Sequence, residues 1–256
     1  MVRSLYTACT GMVHQMNRLD VVTNNMANSD TTAYKKEGST SQSFDSVYGI
    51  KINDSSVNYI HQNIGRMSLG VKVGETYTDY GDGNLEETEQ LYDMALSGKG
   101  FFAISYADRN GNESVRYTRD GNFTVNSQGV LMTKDGDFVL AEDGGLINIP
   151  EGVKISVDES GRITADGQEI AQLQLVDFED YNYLKKFGEN MYIAIDGATT
   201  KDAQCKVYQG YLEASNVNVV TEMVDMITIT RDYESNQKVI QTIDSTLEKS
   251  VALGRI

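Results

Sequence analysis

The chain has 256 residues, of which 40% are apolar and 23% are charged, so it can form one large globular domain or two smaller ones. Its formal net charge is −15, which disfavours nucleic acid and anionic membrane surfaces as partners because both attract basic patches. No apolar run reaches the roughly 18 residues of a membrane span, so membrane insertion is not predicted.

Near the start of the chain, apolar residues recur every seven positions. These residues are Leu5, Met12, Leu19 and Met26. Further apolar residues stand three or four positions after members of this series, as they do along one face of a coiled-coil helix. The spacing predicts an amphipathic helix. The same segment carries one Arg before residue 17 and polar interruptions, so a cleaved signal peptide is not predicted.

The polar stretch "TNNMANSDTTAYKK" follows this helix and predicts the point where the chain turns away. Asn24, Asn25 and Asn28 tolerate the left-handed conformation, and their amides can bond helix-end carbonyls. The Ser, Asp and Thr side chains that follow can bond nearby backbone N–H groups. Two interpretations stay open: these side chains only end the helix, or they also bond a neighbouring molecule.

The middle of the chain carries β patterns. Residues 37–90 predict extended or irregular chain with some strand segments and a turn at Asp82-Gly83. From 101 to 178, short apolar runs alternate with turn residues, which predicts antiparallel strands. The runs are "FFAIS", "NFTV", "GVLMT", "DFVLA", "LINI", "VKISV", "RITA" and "EIAQLQLVDF". The Asn-Gly and Asp-Gly pairs at 110, 120, 135, 143 and 166 suit type I′ hairpin turns.

A second seven-residue repeat near the end of the chain predicts another long helix. Its members are Val219, Met226, Tyr233, Ile240 and Leu247. Polar Gln15 and Asn236 stand at or beside positions of the two repeats. Such a residue either fixes the register of a helix pair or simply faces solvent, and the sequence leaves both open.

Together these patterns predict a mainly β fold with terminal α-helices. We expect the N- and C-terminal helices to pair as a coiled coil, with a central antiparallel β domain between them in sequence. We expect a helical domain of residues 1–34 with 214–256, an irregular or extended connecting region over 35–95, and a β domain over 96–213. Two helices that each bury one stripe make a marginal core, so helices from further copies would complete it.

No catalytic, metal or cofactor site is predicted. The only histidines are His14 and His61, and no GxSxG, HExxH or P-loop motif occurs. The acidic segment Asp79–Gln90 lacks the Gly and closing Glu of a calcium loop. Two alternatives stay open: a secreted β-rich binding module or hydrolase, and a monomeric β-sandwich whose terminal helices pack on its own sheet.

Three segments resemble the bacterial flagellar rod and hook proteins. They are "LDVVTNNMANSDTTAYKK", "ALSGKGFFAI" with "YTRDGNFTVNSQGVLMTKDGDFV", and "QGYLEASNVNVVTEMVDMITITRDYESNQKVIQTIDSTLEKS". Length and arrangement are most similar to the distal rod members, with the proximal ones close behind. Two departures stand out: Ala33-Tyr34 replaces a usual Gly-Phe, and Asp232 replaces a usual small residue.

The resemblance implies a structural subunit of the basal-body rod, in which paired terminal helices form the inner tube of a hollow filament that transmits torque to the hook. It implies other copies and neighbouring rod and hook subunits as partners, contact with the export apparatus and ring proteins, and export without a cleaved signal peptide. It favours assembly contacts through both seven-residue repeats and through Asn24, Asn25 and Asn28.

Overall fold

A computed structural model describes residues 2–51, 62–108, 113–150 and 152–254. The chain forms two compact units. The helical unit comprises Met1–Ala27, Glu37–Asp79 and Asn218–Ile256, and the β unit comprises Asn28–Lys36 and Tyr80–Val217. This division differs from the boundaries expected from sequence, because residues 28–36 fold with the β unit and most of the expected connecting region folds with the helices.

The helical unit contains α1 (Val2–Ala27) and α2 (Val219–Leu253). Asn218 caps α2 by accepting a hydrogen bond from the Thr221 N–H at 3.1 Å, and Glu222 places a negative charge in the first turn. The two terminal helices predicted from the repeats are therefore confirmed. Within the described ranges, neither helix combines the length and the hydropathy of a membrane span.

The described residues of the helical unit also form four strands: β1 (Glu37–Ser43), β2 (Val47–Lys51), β3 (Gln62–Met67) and β4 (Val71–Thr78). β1 pairs with β4 and β2 with β3, both antiparallel. A two-stranded ribbon is marginal in water, and α1 packs against β1 and β4. At this contact the buried His14 ring shares a 2.8 Å hydrogen bond with the Ser41 hydroxyl.

The β unit contains sixteen strands among the described residues and one short 3-10 helix, Tyr181–Tyr183. The strands are β5 (Leu85–Glu87), β6 (Met94–Lys99), β7 (Phe101–Ala107), β8 (Glu113–Thr118), β9 (Phe123–Val125), β10 (Leu131–Thr133), β11 (Phe138–Val139), β12 (Ile155–Val157), β13 (Arg162–Ala165), β14 (Gln168–Gln172), β15 (Leu175–Phe178), β16 (Leu184–Phe187), β17 (Met191–Ala194), β18 (Thr200–Asp202), β19 (Gln204–Gln209) and β20 (Tyr211–Glu213).

Nine of these strands form one sheet in the order β16-β17-β8-β7-β11-β10-β9, with β15 pairing to both β7 and β18. A three-stranded sheet has the order β12-β13-β14, and β6 pairs with β19 and β5 with β20. All of these pairings are antiparallel. The predicted central antiparallel β region is confirmed.

Two apolar clusters form the core of the β unit. The larger contains Met94, Leu96, Phe102, Phe123, Leu131, Val139, Ala141, Ile147, Ile149, Ile155, Ile163, Ala165, Leu173 and Val207. The smaller contains Phe101, Phe178, Leu184 and Tyr192. Phe101 and Phe102 are neighbours on β7 and enter different clusters, because successive side chains of a strand point to opposite faces. β7 therefore carries core residues on both faces.

The predicted turns have mixed outcomes. Asp166-Gly167 joins β13 to β14 with φ of 51° and 84°, as a type I′ hairpin requires. At Asp120-Gly121 the hairpin prediction is wrong: β8 and β9 do not pair with each other, and a Cβ at Gly121 would lie 1.5 Å from the Met94 carbonyl oxygen. That glycine permits a close backbone approach instead. Asn110-Gly111 lies outside the described residues.

Candidate functional site

The two terminal helices pack antiparallel within the helical unit. The Gln15 amide donates to the Asp232 carboxylate at 3.1 Å, and Asn25 donates to Glu222 at 3.4 Å. Gly11 faces Asn236, whose amide nitrogen would lie 3.1 Å from a Cβ at that glycine. Since the partner numbers fall along α2 as they rise along α1, the helices run in opposite directions. The polar residues Gln15 and Asn236 both lie at this interface.

The seven-residue repeats are only partly covered by the chain itself. Leu5, Met12, Leu19, Met26, Val219, Met226 and Ile240 are half-buried. Tyr233 is 37% exposed and Leu247 is 36% exposed. Among the helix residues whose burial is described, the buried apolar ones are Ala8, Val22 and Ile229, which stand beside the repeats. The apolar side chains of the two seven-residue repeats therefore remain partly exposed in the single chain.

The three asparagines of the polar stretch "TNNMANSDTTAYKK" have different surroundings. Asn25 is 1% exposed, and its side chain bonds both the N–H and the C=O of Glu37, at 2.9 and 2.8 Å. It thereby fixes the start of β1 against α1. Asn28 accepts a hydrogen bond from the Thr31 hydroxyl at 3.2 Å, as a turn residue does. Asn24 lies exposed in the last turn of α1.

The segment Thr31–Lys36, which we name the junction segment, is built into the β unit. Ala33 has φ of 56°, and its N–H donates to the Glu213 carbonyl at 2.7 Å. Tyr34 is 1% exposed, and the Lys186 ammonium lies 3.8 Å from the centre of its ring. The Lys36 N–H donates to the Asn216 side chain at 2.7 Å. The unusual Ala33 thus occupies a left-handed position that favours glycine.

A buried ion cluster holds this segment. Lys35 is 0% exposed; its ammonium bonds the Glu213 carboxylate at 2.5 Å and the Gly81 carbonyl at 2.8 Å. Arg119 lies 3.5 Å from Glu213 and 2.9 Å from Asp82. Burial lowers the pKa of Lys35 below its ordinary value, and the Glu213 carboxylate opposes that shift. The cluster joins segments that are far apart in sequence.

A half-buried carboxylate secures the neighbouring threonine. Asp120 accepts hydrogen bonds from the Thr32 hydroxyl at 2.9 Å, the Asn122 N–H at 3.0 Å and the Asn190 amide at 2.8 Å. Burial raises the pKa of Asp120, and the bonds from Asn122 and Thr32 act in the opposite direction. Sequence reasoning assigned Asp120 to a hairpin turn and missed this role, because its partners Thr32 and Asn190 are remote in sequence.

In the described ranges, no group of three or more His, Cys, Asp or Glu side chains is placed to hold a metal ion. His14 is buried in α1, and burial, with a smaller effect of the Arg18 charge, lowers its pKa. His61 lies outside the described residues. Cys9 and Cys205 are both free thiols.

Three models of flagellar families match the chain in the same order as the resembling segments. They are described as flagella basal body rod protein (residues 5–35), flagellar hook protein FlgE/F/G D1 domain (residues 95–165) and flagellar basal body rod FlgEFG protein C-terminal (residues 208–253). The first covers most of α1 with the junction segment, and the last covers α2. These matches define the class: structural proteins of the flagellar axis.

Curated relatives cover nearly the whole chain. It is 32% identical to the flagellar basal-body rod protein FlgG of Bacillus subtilis over 100% of both chains. It is 32% identical to FlgG of Buchnera aphidicola subsp. Schizaphis graminum, covering 97% of this chain and 98% of the relative. The rod protein FlgF of Caulobacter vibrioides is 33% identical, with 98% and 96% covered. The chain belongs to the family of flagellar basal-body rod proteins.

Proposed function

We propose that this protein is a structural subunit of the flagellar basal-body rod, most like the distal rod protein FlgG, and that copies assemble into a hollow axial filament that transmits motor torque to the hook. Its partners are other copies of itself and neighbouring rod and hook subunits. Contacts with the export apparatus and ring proteins belong to the same proposal. The relatives are named as rod proteins, which supports a structural rather than an enzymatic role.

The observation that carries this proposal is how little of α2 is covered. Among the described residues of this 35-residue helix, only Glu222 and Ile229 are buried, while its apolar repeat stays half-buried or exposed. A long helix is stabilised mainly by packing of its apolar face, so a face left open indicates a missing partner. In a rod, helices of other subunits supply it.

We propose further that α1 and α2 form an antiparallel coiled coil that acts as one piece of the filament wall. Gly11 opposite Asn236 lets the helix backbones approach closely, and the bond between Gln15 and Asp232 favours one register. This gives Asp232, unusual in the family, a specific partner. A pair fixed in register would present both seven-residue repeats to neighbouring subunits as a single surface.

The way the junction segment is bonded supports the proposal that the subunit transmits torque. Thr32, Lys35 and Lys36 are held by side chains from distant parts of the β unit, so the chain entering that unit is anchored rather than loosely tethered. Dense, fully bonded interiors resist deformation. We propose Asn24 and Asn28 as further contacts to neighbouring subunits, while Asn25 braces α1 against β1 within the subunit.

The experiment replaces one residue of each apolar repeat with a charge. We expect Leu19→Asp and Ile240→Asp to leave the β unit folded and to block incorporation into basal bodies, because an unpaired charge buried between helices costs several kcal/mol. Asn17→Asp and Gln241→Asp place the same charge at exposed neighbouring positions of the same helices and serve as controls. Swimming and the subunit content of purified basal bodies are measured. Normal incorporation of both repeat variants would contradict the proposal.

A further inference from the structure

One apolar surface of α2 is not part of its seven-residue repeat. Val220, Met223, Val224 and Ile227 are 71%, 48%, 56% and 52% exposed. Their spacing of three and four residues places them on one face of the helix, about 180° from the face that carries Ile229. We name these four residues the outward stripe. Further along the same face, Arg231, Lys238 and Lys249 are charged, so the apolar stripe is confined to the first turns.

The other end of α2 carries a second uncovered surface. The residue numbers of the three α1–α2 pairs, 11 with 236, 15 with 232 and 25 with 222, each add to 247. The start of α1 therefore lies opposite about residue 245 of α2, and the segment Leu247–Leu253 extends past it. We name this segment the overhang. Leu247 and Val251 continue the α1-facing side of α2 and are 36% and 64% exposed.

We propose that the overhang of one copy packs on the outward stripe of a second copy, so that successive α2 helices overlap head to tail. This inference rests on the proposed function, since it specifies how rod subunits contact each other. The two surfaces lie at opposite ends of one helix and belong to different faces. Such a contact is heterologous and does not close on itself, as a filament requires.

Electrostatics favour this orientation. The overlap brings the C-terminal end of one α2, which carries partial negative charge, beside the N-terminal end of the next, which carries partial positive charge. Two turns of helix bury far less than the roughly 1,200 Å² of a stable interface. The contact is therefore weak between two isolated copies and depends on the surrounding assembly.

The proposal fixes a distance. The centres of the outward stripe and the overhang are separated by about 26 residues of continuous helix, which corresponds to about 40 Å at about 1.5 Å per residue. Neighbouring copies related by this contact should be displaced by about that length along α2. A different contact, for example between the outward stripe and the middle of a neighbouring helix, would give a clearly different displacement.

Cysteine crosslinking in assembled basal bodies tests the contact. Cys9→Ser and Cys205→Ala first remove the native thiols, and Met223→Cys is combined with Val251→Cys. These positions are about 42 Å apart in one straight helix, and a disulfide needs Cα atoms within about 7 Å, so a crosslink must join two copies. Each copy has both positions, so oxidation should give a ladder of multimers. Lys238→Cys with Val251→Cys is the control, because Lys238 lies on the same face as Ile227 but about 17 Å further along the helix.

The expected result is a ladder from the Met223 pair and none from the Lys238 pair. A ladder from the control alone, no ladder from either pair, or a crosslink to a different flagellar protein would overturn the inference. The content of the purified basal bodies separates this failure from failure of the proposed function. If the variants are present there without the expected ladder, the rod role stands and the head-to-tail contact does not.

Discussion

The β unit and the helical unit place their apolar side chains differently. Phe101, Phe102 and Tyr192 are 0% exposed in the β unit. In the described part of the helical unit, the buried apolar side chains are Ala8, Val22 and Ile229 alone, and larger ones on both helices remain exposed. The β unit has a core of its own, whereas much of the apolar surface of the helical unit is exposed in the single chain. The same chain thus combines a unit that has a buried apolar core with a unit whose larger apolar side chains are mostly not buried.

The largest expected effect concerns the ion cluster that holds the junction segment in the β unit. We expect Glu213→Ala to lower the free energy of unfolding of that unit by about 3–5 kcal/mol, because it leaves two buried cations without their shared carboxylate. Lys35 can limit the loss by releasing its proton, since burial already lowers its pKa. Denaturant unfolding of the full chain, followed by a probe in the β unit, measures the change.

Glu86→Ala is the matched control, because Glu86 is exposed on β5 and pairs in register with Leu212 on β20, next to Glu213. Its effect should stay within about 0.5 kcal/mol. If Glu213→Ala lowers the free energy of unfolding no more than Glu86→Ala does, the ion cluster does not secure the junction segment. The contrast between the two units would then rest on apolar packing alone.

Hydrogen exchange compares the units directly. We expect amides of β7 and β15 to exchange slowly at every protein concentration, because the β unit is complete by itself. Amides of residues 2–27 and 219–253 should exchange faster at low concentration and slow as the concentration rises. Once association is significant, each tenfold rise in free partner adds up to about 1.4 kcal/mol of protection. Strong, concentration-independent protection of both helices would instead indicate a finished monomer.

Sequence reasoning succeeded where a structure depends on neighbouring residues. The seven-residue repeats predicted both helices, and Asp166-Gly167 predicted its hairpin, because these patterns act over a few positions. The run "LINI" at 146–149 forms only isolated bridges at Leu146 and Asn148 rather than a strand. Its partners, Val130 and Leu140, lie directly before β10 and directly after β11. That pairing is not encoded in the run itself.

The candidate site was less predictable, because its decisive partners are distant. Lys35 and Glu213 are 178 positions apart, and Thr32 and Asp120 are 88 apart. A single sequence contains no signal for such pairs beyond the presence of opposite charges. Three residues of the outward stripe, Val220, Val224 and Ile227, were missed for another reason: they lie on the face of α2 opposite to the one that the seven-residue repeat defines. Their exposure is a property of the folded chain and not of the repeat.

The smallest expected effect tests the departure at Ala33. Glycine adopts φ of 56° without strain, while an L-residue there costs about 1–2 kcal/mol. Ala33→Gly removes that cost but loses a buried methyl, worth about 0.8 kcal/mol, and adds about 0.5–1 kcal/mol of unfolded-state entropy. The opposing contributions nearly cancel, so we expect the free energy of unfolding of the β unit to change by less than about 1 kcal/mol.

A small effect of Ala33→Gly would also be expected if position 33 tolerated any side chain, and Ala33→Val distinguishes the two explanations. A β-branched residue in the left-handed region is strained, and the site is 1% exposed, so we expect a loss of at least about 2 kcal/mol. Both variants are compared by denaturant unfolding. If Ala33→Val were tolerated as well as Ala33→Gly, the junction segment would have room to relax. It would then not be held rigidly in the β unit.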